Sequence, residues 1–219
     1  MQEHTLKVSR TARYYTLGHS GPHIQSLWLV CHGYGQLASR IIQKFSAFDD
    51  GQTLVVAPEG LSRFYWQGVS GEVAASWMTK ADRLNEIDDY SNYLSQLYES
   101  TLEALPADVK IYLFGFSQGC ATQVRWITRK FPRFDHLILW AGFFPEDLDY
   151  LPFQQYFSDK KCHLIYGDED QYLTSDRLKK HDELLAKNKL EVEVTTFSGR
   201  HVINRKVLEG FYQSIKGLK

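Results

Sequence analysis

The chain has 219 residues, 43% of them hydrophobic and 23% charged, with a formal net charge of −1. That length and apolar share suit a soluble globule built as one unit over residues 1–219, and the interspersed charges exclude the electrostatic footprint of a nucleic-acid binder. No apolar run approaches membrane-spanning length, Met1 to Ser20 is too polar for a secretory signal, and the odd set Cys31, Cys120 and Cys162 reads as buried thiols, so the expected location is the cytoplasm.

Thr5 to Leu17 alternates loosely between apolar and polar residues, as a half-exposed edge strand or hairpin does. Ser26 to Cys31 is a solid apolar run that predicts a strand buried on both faces. Leu37 to Phe48 carries Ile41, Ile42, Phe45 and Phe48 at helical spacing, and Thr53 to Ala57 predicts another buried strand closed by Pro58. Glu59 to Thr79 shows no periodicity: Phe64, Tyr65, Trp66 and Trp77 are scattered among glycines, which suits a short aromatic lid. Leu84 to Leu105 is a long helix with an apolar stripe.

Beyond it the predicted order is a strand ending at Phe114, a helix to about Phe131, a strand His136 to Ala141, an aromatic-rich loop Phe143 to Phe157, and a strand His163 to Tyr166. A helix from about Asp176 to Lys187, a strand Val192 to Phe197 and a helix from about Val202 to Lys216 complete the order. Buried strands alternating with helices imply a mainly parallel sheet covered on both faces, with ligands beyond the carboxyl ends of its strands.

Gly115-Phe116-Ser117-Gln118-Gly119 sits where a strand passes into a helix. In that context G-x-S-x-G is a nucleophile elbow, with the serine at a sharp turn and at a helix N-terminus that favours developing negative charge. A serine hydroxyl needs a base within reach, and the base needs an acid that fixes its tautomer. Of the histidines after Ser117, His136 and His163 begin strands at the far end of the sheet, and His181 reads as a solvated residue in a charged helix. His201 follows the last strand and opens the last helix, within reach of the rim at the strands' carboxyl ends. Oxyanion donors are expected from the backbone of Gln118 and from His32-Gly33-Tyr34-Gly35, with His32 itself bracing its loop. Asp168, Glu169 and Asp170 compete as the acid: a short Asp at the strand end holds the turn, Glu169 would lose more rotamer entropy, and Asp170 can swing across toward His201.

These pieces together resemble the α/β-hydrolase fold, and more narrowly the carboxylesterase/phospholipase family that includes the acyl-protein thioesterases. The matching segments are His32-Gly33-Tyr34-Gly35, Ala57-Pro58, Ser76-Trp77-Met78, Gly115-Phe116-Ser117-Gln118-Gly119, Gly167-Asp168-Glu169-Asp170 and Gly199-Arg200-His201. The resemblance implies Ser117 as nucleophile, Asp170 as acid, His201 as base, and Tyr34 and Gln118 as oxyanion donors. Cys120, Tyr166, Glu59 to Leu61 and Gln171 to Thr174 depart from the family pattern without touching these positions.

The expected protein is therefore a cytoplasmic serine esterase acting on carboxylic ester or thioester bonds through an acyl-enzyme. Its expected partner is a small-molecule or lipid-like acyl ester, with no nucleic acid, integral membrane segment, metal or cofactor, and with its oligomeric state left open. Phe64, Trp66, Trp77, Phe143 and Phe144 are expected to wall the substrate pocket. A lysophospholipase or acyl-protein thioesterase is an alternative, and so is a hydrolase-fold binding protein without turnover.

Overall fold

The computed structural model describes residues 1–216. In chain order the strands are β1 (Tyr14–Leu17), β2 (Ser26–Cys31), β3 (Thr53–Pro58), β4 (Ser62–Tyr65), β5 (Val73–Ser76), β6 (Lys110–Phe116), β7 (His136–Trp140), β8 (Lys161–Gly167) and β9 (Glu193–Phe197). The α-helices are α1 (Ala38–Ile41), α2 (Arg83–Leu102), α3 (Gln118–Lys130), α4 (Gln154–Phe157), α5 (Ser175–Asn188) and α6 (Arg205–Ile215). Seven strands form one sheet in the order β1-β3-β2-β6-β7-β8-β9, parallel throughout except for β1, which runs antiparallel to β3.

Alternation along the strands builds two cores. Leu27, Leu29 and Cys31 of β2, Ile111 and Leu113 of β6, and Leu137 and Leu139 of β7 point to one face, where residues of α2, α3 and α5 cover them. Trp28 and Val30, Tyr112 and Phe114, and Ile138 and Trp140 point to the other, under α1 and α6. Burial on both faces is why these strands read as unbroken apolar runs. The fold is that of an α/β-hydrolase.

The chain winds from β2 outward to β3, then returns to place β6 on the other side of β2. The switch point between β2 and β6 opens a crevice at their carboxyl ends. Cys31 pairs with Gly115 at that edge, so the loop after β2 faces the turn after β6.

Several segments differ from expectation: of Thr5 to Leu17 only Tyr14–Leu17 is a strand, and the expected loop Phe143 to Phe157 ends in a 3₁₀ turn, Leu151–Phe153, and α4. The expected helix over Leu37 to Phe48 is one α-turn followed by a 3₁₀ helix, Ile42–Phe48. Its buried residues Ile42, Phe45 and Phe48 repeat every third position, and a 3₁₀ helix stacks i and i+3 on one side. The segment Glu59 to Thr79 contains the hairpin β4–β5, with Phe64 opposite Ala74. Three consecutive aromatics at Phe64, Tyr65 and Trp66 hide the two-residue alternation of a strand only four residues long. The last helix begins at Arg205, because the Asn204 side chain caps it by accepting the N–H groups of Lys206 and Val207. His201 therefore lies in a loop ahead of that helix.

Candidate active site

The turn after β6 is built by what its neighbours lack. A Cβ on Gly115 would stand 2.5 Å from the carbonyl of Gly119, and one on Gly119 would stand 2.2 Å from the carbonyl oxygen of Cys31. Between them Ser117 takes φ 53° and ψ −116°, a conformation costing a non-glycine residue on the order of 1–3 kcal/mol. The surroundings hold it there: Ser117 donates its N–H to the Trp140 carbonyl at 2.9 Å. Cys120, fully buried, donates its thiol to the Gly115 carbonyl at 3.1 Å. Burial pushes that thiol's pKa well up, so it packs and bonds as a neutral group.

Across the crevice, Asp170 Oδ2 lies 2.7 Å from Nδ1 of His201. Asp170 is 6% exposed, and its other oxygen accepts the backbone N–H of Tyr172 at 2.9 Å. Phe116 and Tyr172 flank the imidazole, with ring centroids 5.0 and 4.7 Å away. Its Nε2 takes no partner among the described residues, and His201 and Ser117 line the same cavity of about 360 Å³. The neighbouring acids have other contacts. Asp168 accepts the Gly199 N–H at 3.0 Å, tying the loop after β8 to the loop after β9, while exposed Glu169 reaches toward Arg200.

The backbone N–H groups of Tyr34 and Gln118 are unengaged among the described residues, while that of Gly35 donates to Ala75 at 2.9 Å. The Gln118 side chain ties the start of α3 to the strand end at Ser76. Its Oε1 accepts the Trp77 N–H at 3.1 Å and its Nε2 donates to Met78 at 2.9 Å. His32 is fully buried, donates Nδ1–H to the Gly33 carbonyl at 2.8 Å, and accepts the Gly60 N–H at Nε2 at 2.9 Å. Burial lowers its pKa to about 4, so it braces the loop after β2 as a neutral ring.

Of the five aromatics expected to wall the pocket, Phe143 and Phe144 line the cavity of Ser117. Trp77 lies in the core instead, 2% exposed, with its indole N–H donating to the His32 carbonyl at 2.8 Å. Phe64 and Trp66 cluster with Tyr34 at ring separations of 5.5 to 6.1 Å, outside that cavity. The hairpin sets this arrangement, because Trp66 donates to Glu72 across its neck and lies over Gly35, whose missing Cβ gives it room.

His181 also differs from expectation: it is 1% exposed and accepts the N–H of Phe144. His136 and His163 pair with each other at 3.0 Å at the opposite end of the sheet. Among the cavity residues that escaped the sequence reading are two arginines, Arg125 and Arg177. A signal for Arg125 was present, since Ser117, Ala121 and Arg125 recur at four-residue spacing on one helix face.

A family profile described as phospholipase/carboxylesterase matches residues 19–218. No curated protein sequence matches the chain. Among solved structures, acyl-protein thioesterase 2 of Zea mays superposes with a TM-score of 0.71 at 17% identity, covering 95% of this chain and 99% of that one. YahD, solved with malic acid, gives 0.70 at 16% identity over 95% and 100%. A phospholipase/carboxylesterase from Dyadobacter fermentans gives 0.65 at 16% identity over 97% and 99%.

Proposed function

The chain belongs to the phospholipase/carboxylesterase family, and from that premise we propose that it is a cytoplasmic serine hydrolase cleaving carboxylic ester or thioester bonds through an acyl-enzyme. One observation carries the reading: a buried carboxylate bonded to Nδ1 of His201, whose imidazole lines the same cavity as a serine on a strained turn.

In this reading Ser117 Oγ attacks the acyl carbon while its proton passes to His201 Nε2. Asp170 holds the proton on Nδ1 and stabilises the imidazolium. The oxyanion accepts the N–H groups of Tyr34 and Gln118, and the positive end of α3 adds to their field. Collapse of the tetrahedral intermediate expels the alcohol or thiol, which takes the proton from His201. Water then attacks the acyl-serine, gives its proton to the same nitrogen, and the acid leaves as Ser117 recovers its hydroxyl proton.

A cavity of about 360 Å³ is near the lower end for small-ligand sites and favours short acyl groups over a long chain. The test is labelling by a fluorophosphonate probe together with hydrolysis of 4-nitrophenyl esters of increasing chain length. Labelling at Ser117 and turnover lost in Ser117→Ala are expected. A protein that neither labels nor hydrolyses any ester would instead be a binding protein on a hydrolase fold.

A further inference from the structure

The cavity beside Ser117 ends on positive charge. Arg125 stands two turns along α3, about 12 Å from Ser117 at a rise of 1.5 Å per residue, and helix side chains lean back toward the N-terminus. The side chain lines the cavity and is 6% exposed. One Nη pairs with Asp147, but the Nε–H has no partner among the described residues. Asp147 is 50% exposed and also binds Arg83 at 2.5 Å, so one carboxylate answers two guanidinium groups. From α5, Arg177 lies 5.4 Å from the centre of the Phe143 ring and donates to the Tyr172 carbonyl at 2.7 Å. Glu146, exposed at the rim, is the one carboxylate among the described residues that line the cavity. Two guanidinium groups and one carboxylate thus line the cavity, and Asp147, which pairs with Arg125 from outside it, is shared with Arg83.

An alkyl chain packed against Arg125 would strip water from a buried charge and return no hydrogen bond. A carboxylate at the cavity wall would meet the guanidinium with a charge-assisted bond. We propose that the acyl group taken by this site carries its own carboxylate a few carbons from the scissile carbonyl. The substrate class is a half-ester or half-thioester of a short dicarboxylic acid, with Arg125 holding the distal carboxylate and Arg177 assisting at the rim. This rests on the reading of Ser117, Asp170 and His201 as the hydrolytic triad.

The experiment compares kcat/KM for 4-nitrophenyl hemiglutarate and 4-nitrophenyl pentanoate, which have acyl chains of equal length. The intact protein should favour the anion by about tenfold or more, and Arg125→Gln should lower that ratio by about tenfold or more, with Arg125→Lys between them. Calorimetric titration of glutarate into Ser117→Ala reads the site without turnover, and binding should disappear when Arg125→Gln is added. If Arg125→Gln does not fold, the ratios in Arg125→Lys and Arg177→Gln and the glutarate titration decide. Preference for pentanoate, or a ratio unmoved in a folded Arg125→Gln, would overturn the proposal. Labelling of Ser117 with pentanoate turnover but none of hemiglutarate would overturn it and leave the esterase reading standing. Absence of labelling and of both turnovers would overturn the esterase reading, and failure of glutarate to bind Ser117→Ala would then overturn the anion site as well.

Discussion

Phe144 donates its backbone N–H to Nε2 of His181 at 3.2 Å, joining the loop after β7 to α5 behind the wall of the Ser117 cavity. The bond requires a neutral imidazole, and burial lowers the His181 pKa from its ordinary 6.5 to about 4. Between those values the unfolded chain binds the proton and the folded chain does not. Stability is therefore complete above about pH 6.5 and falls as the pH drops toward 4, by up to roughly 1.4 kcal/mol per unit. His32 adds to the same trend. Urea midpoints at pH 7 and pH 5 check this: His181→Gln should show a smaller loss between them, by on the order of 2 kcal/mol. An unchanged loss would mean that the proton goes elsewhere.

Ser117→Ala should fold and lose turnover by several orders of magnitude, on the order of 10⁶ for a nucleophile acting within a unit. Ser117→Gly should be equally dead yet more stable than Ser117→Ala, because φ 53° strains any residue with a Cβ. Thermal midpoints beside probe labelling separate the two effects.

Asp170→Asn should remain folded and lose turnover by about 10⁴ through the wrong imidazole tautomer. Asp168→Ala should keep most of its turnover and lose about 1 kcal/mol of stability, because only the bond to the Gly199 N–H disappears. The opposite pattern, read as kcat beside melting temperature, would move the catalytic role to Asp168.

Phe144→Ala should destabilise by about 3–5 kcal/mol, since its ring is fully buried in the core beneath the cavity it lines. Trp66→Ala, at a half-exposed site, should stay close to the parent stability. Chemical denaturation of both variants tests whether the aromatics divide as the contacts indicate.

Gly119→Ala should prevent folding or cost more than the usual 1–3 kcal/mol of overpacking, because its methyl would meet the backbone of β2 at Cys31. A well-folded Gly119→Ala would mean that α3 can slide away from the sheet without loss.

Local chemistry was legible in the sequence where a residue type has one use. Unbroken apolar runs marked the strands buried on both faces, Gly115 and Gly119 marked the elbow, and the order Ser117, Asp170, His201 followed strand ends. What lay beyond reach depends on distant neighbours. His181 sits among Arg177, Lys180, Asp182 and Glu183, so its local pattern is that of a solvated helix; the loop carrying Phe144 buries it.

The amino-acid sequence by itself therefore determined the order of the buried strands and the longer helices, the sharp serine turn and the residues available for chemistry, because hydrophobic periodicity and glycine stereochemistry act over a few residues. Only the tertiary structure decided which aromatics share a cavity with Ser117, that Asp168 is engaged with the Gly199 N–H, and that Arg125 lines the cavity. Those relations join residues 30 or more positions apart, or depend on a cavity several elements enclose. Their geometry follows from how the parallel sheet brings its carboxyl ends together.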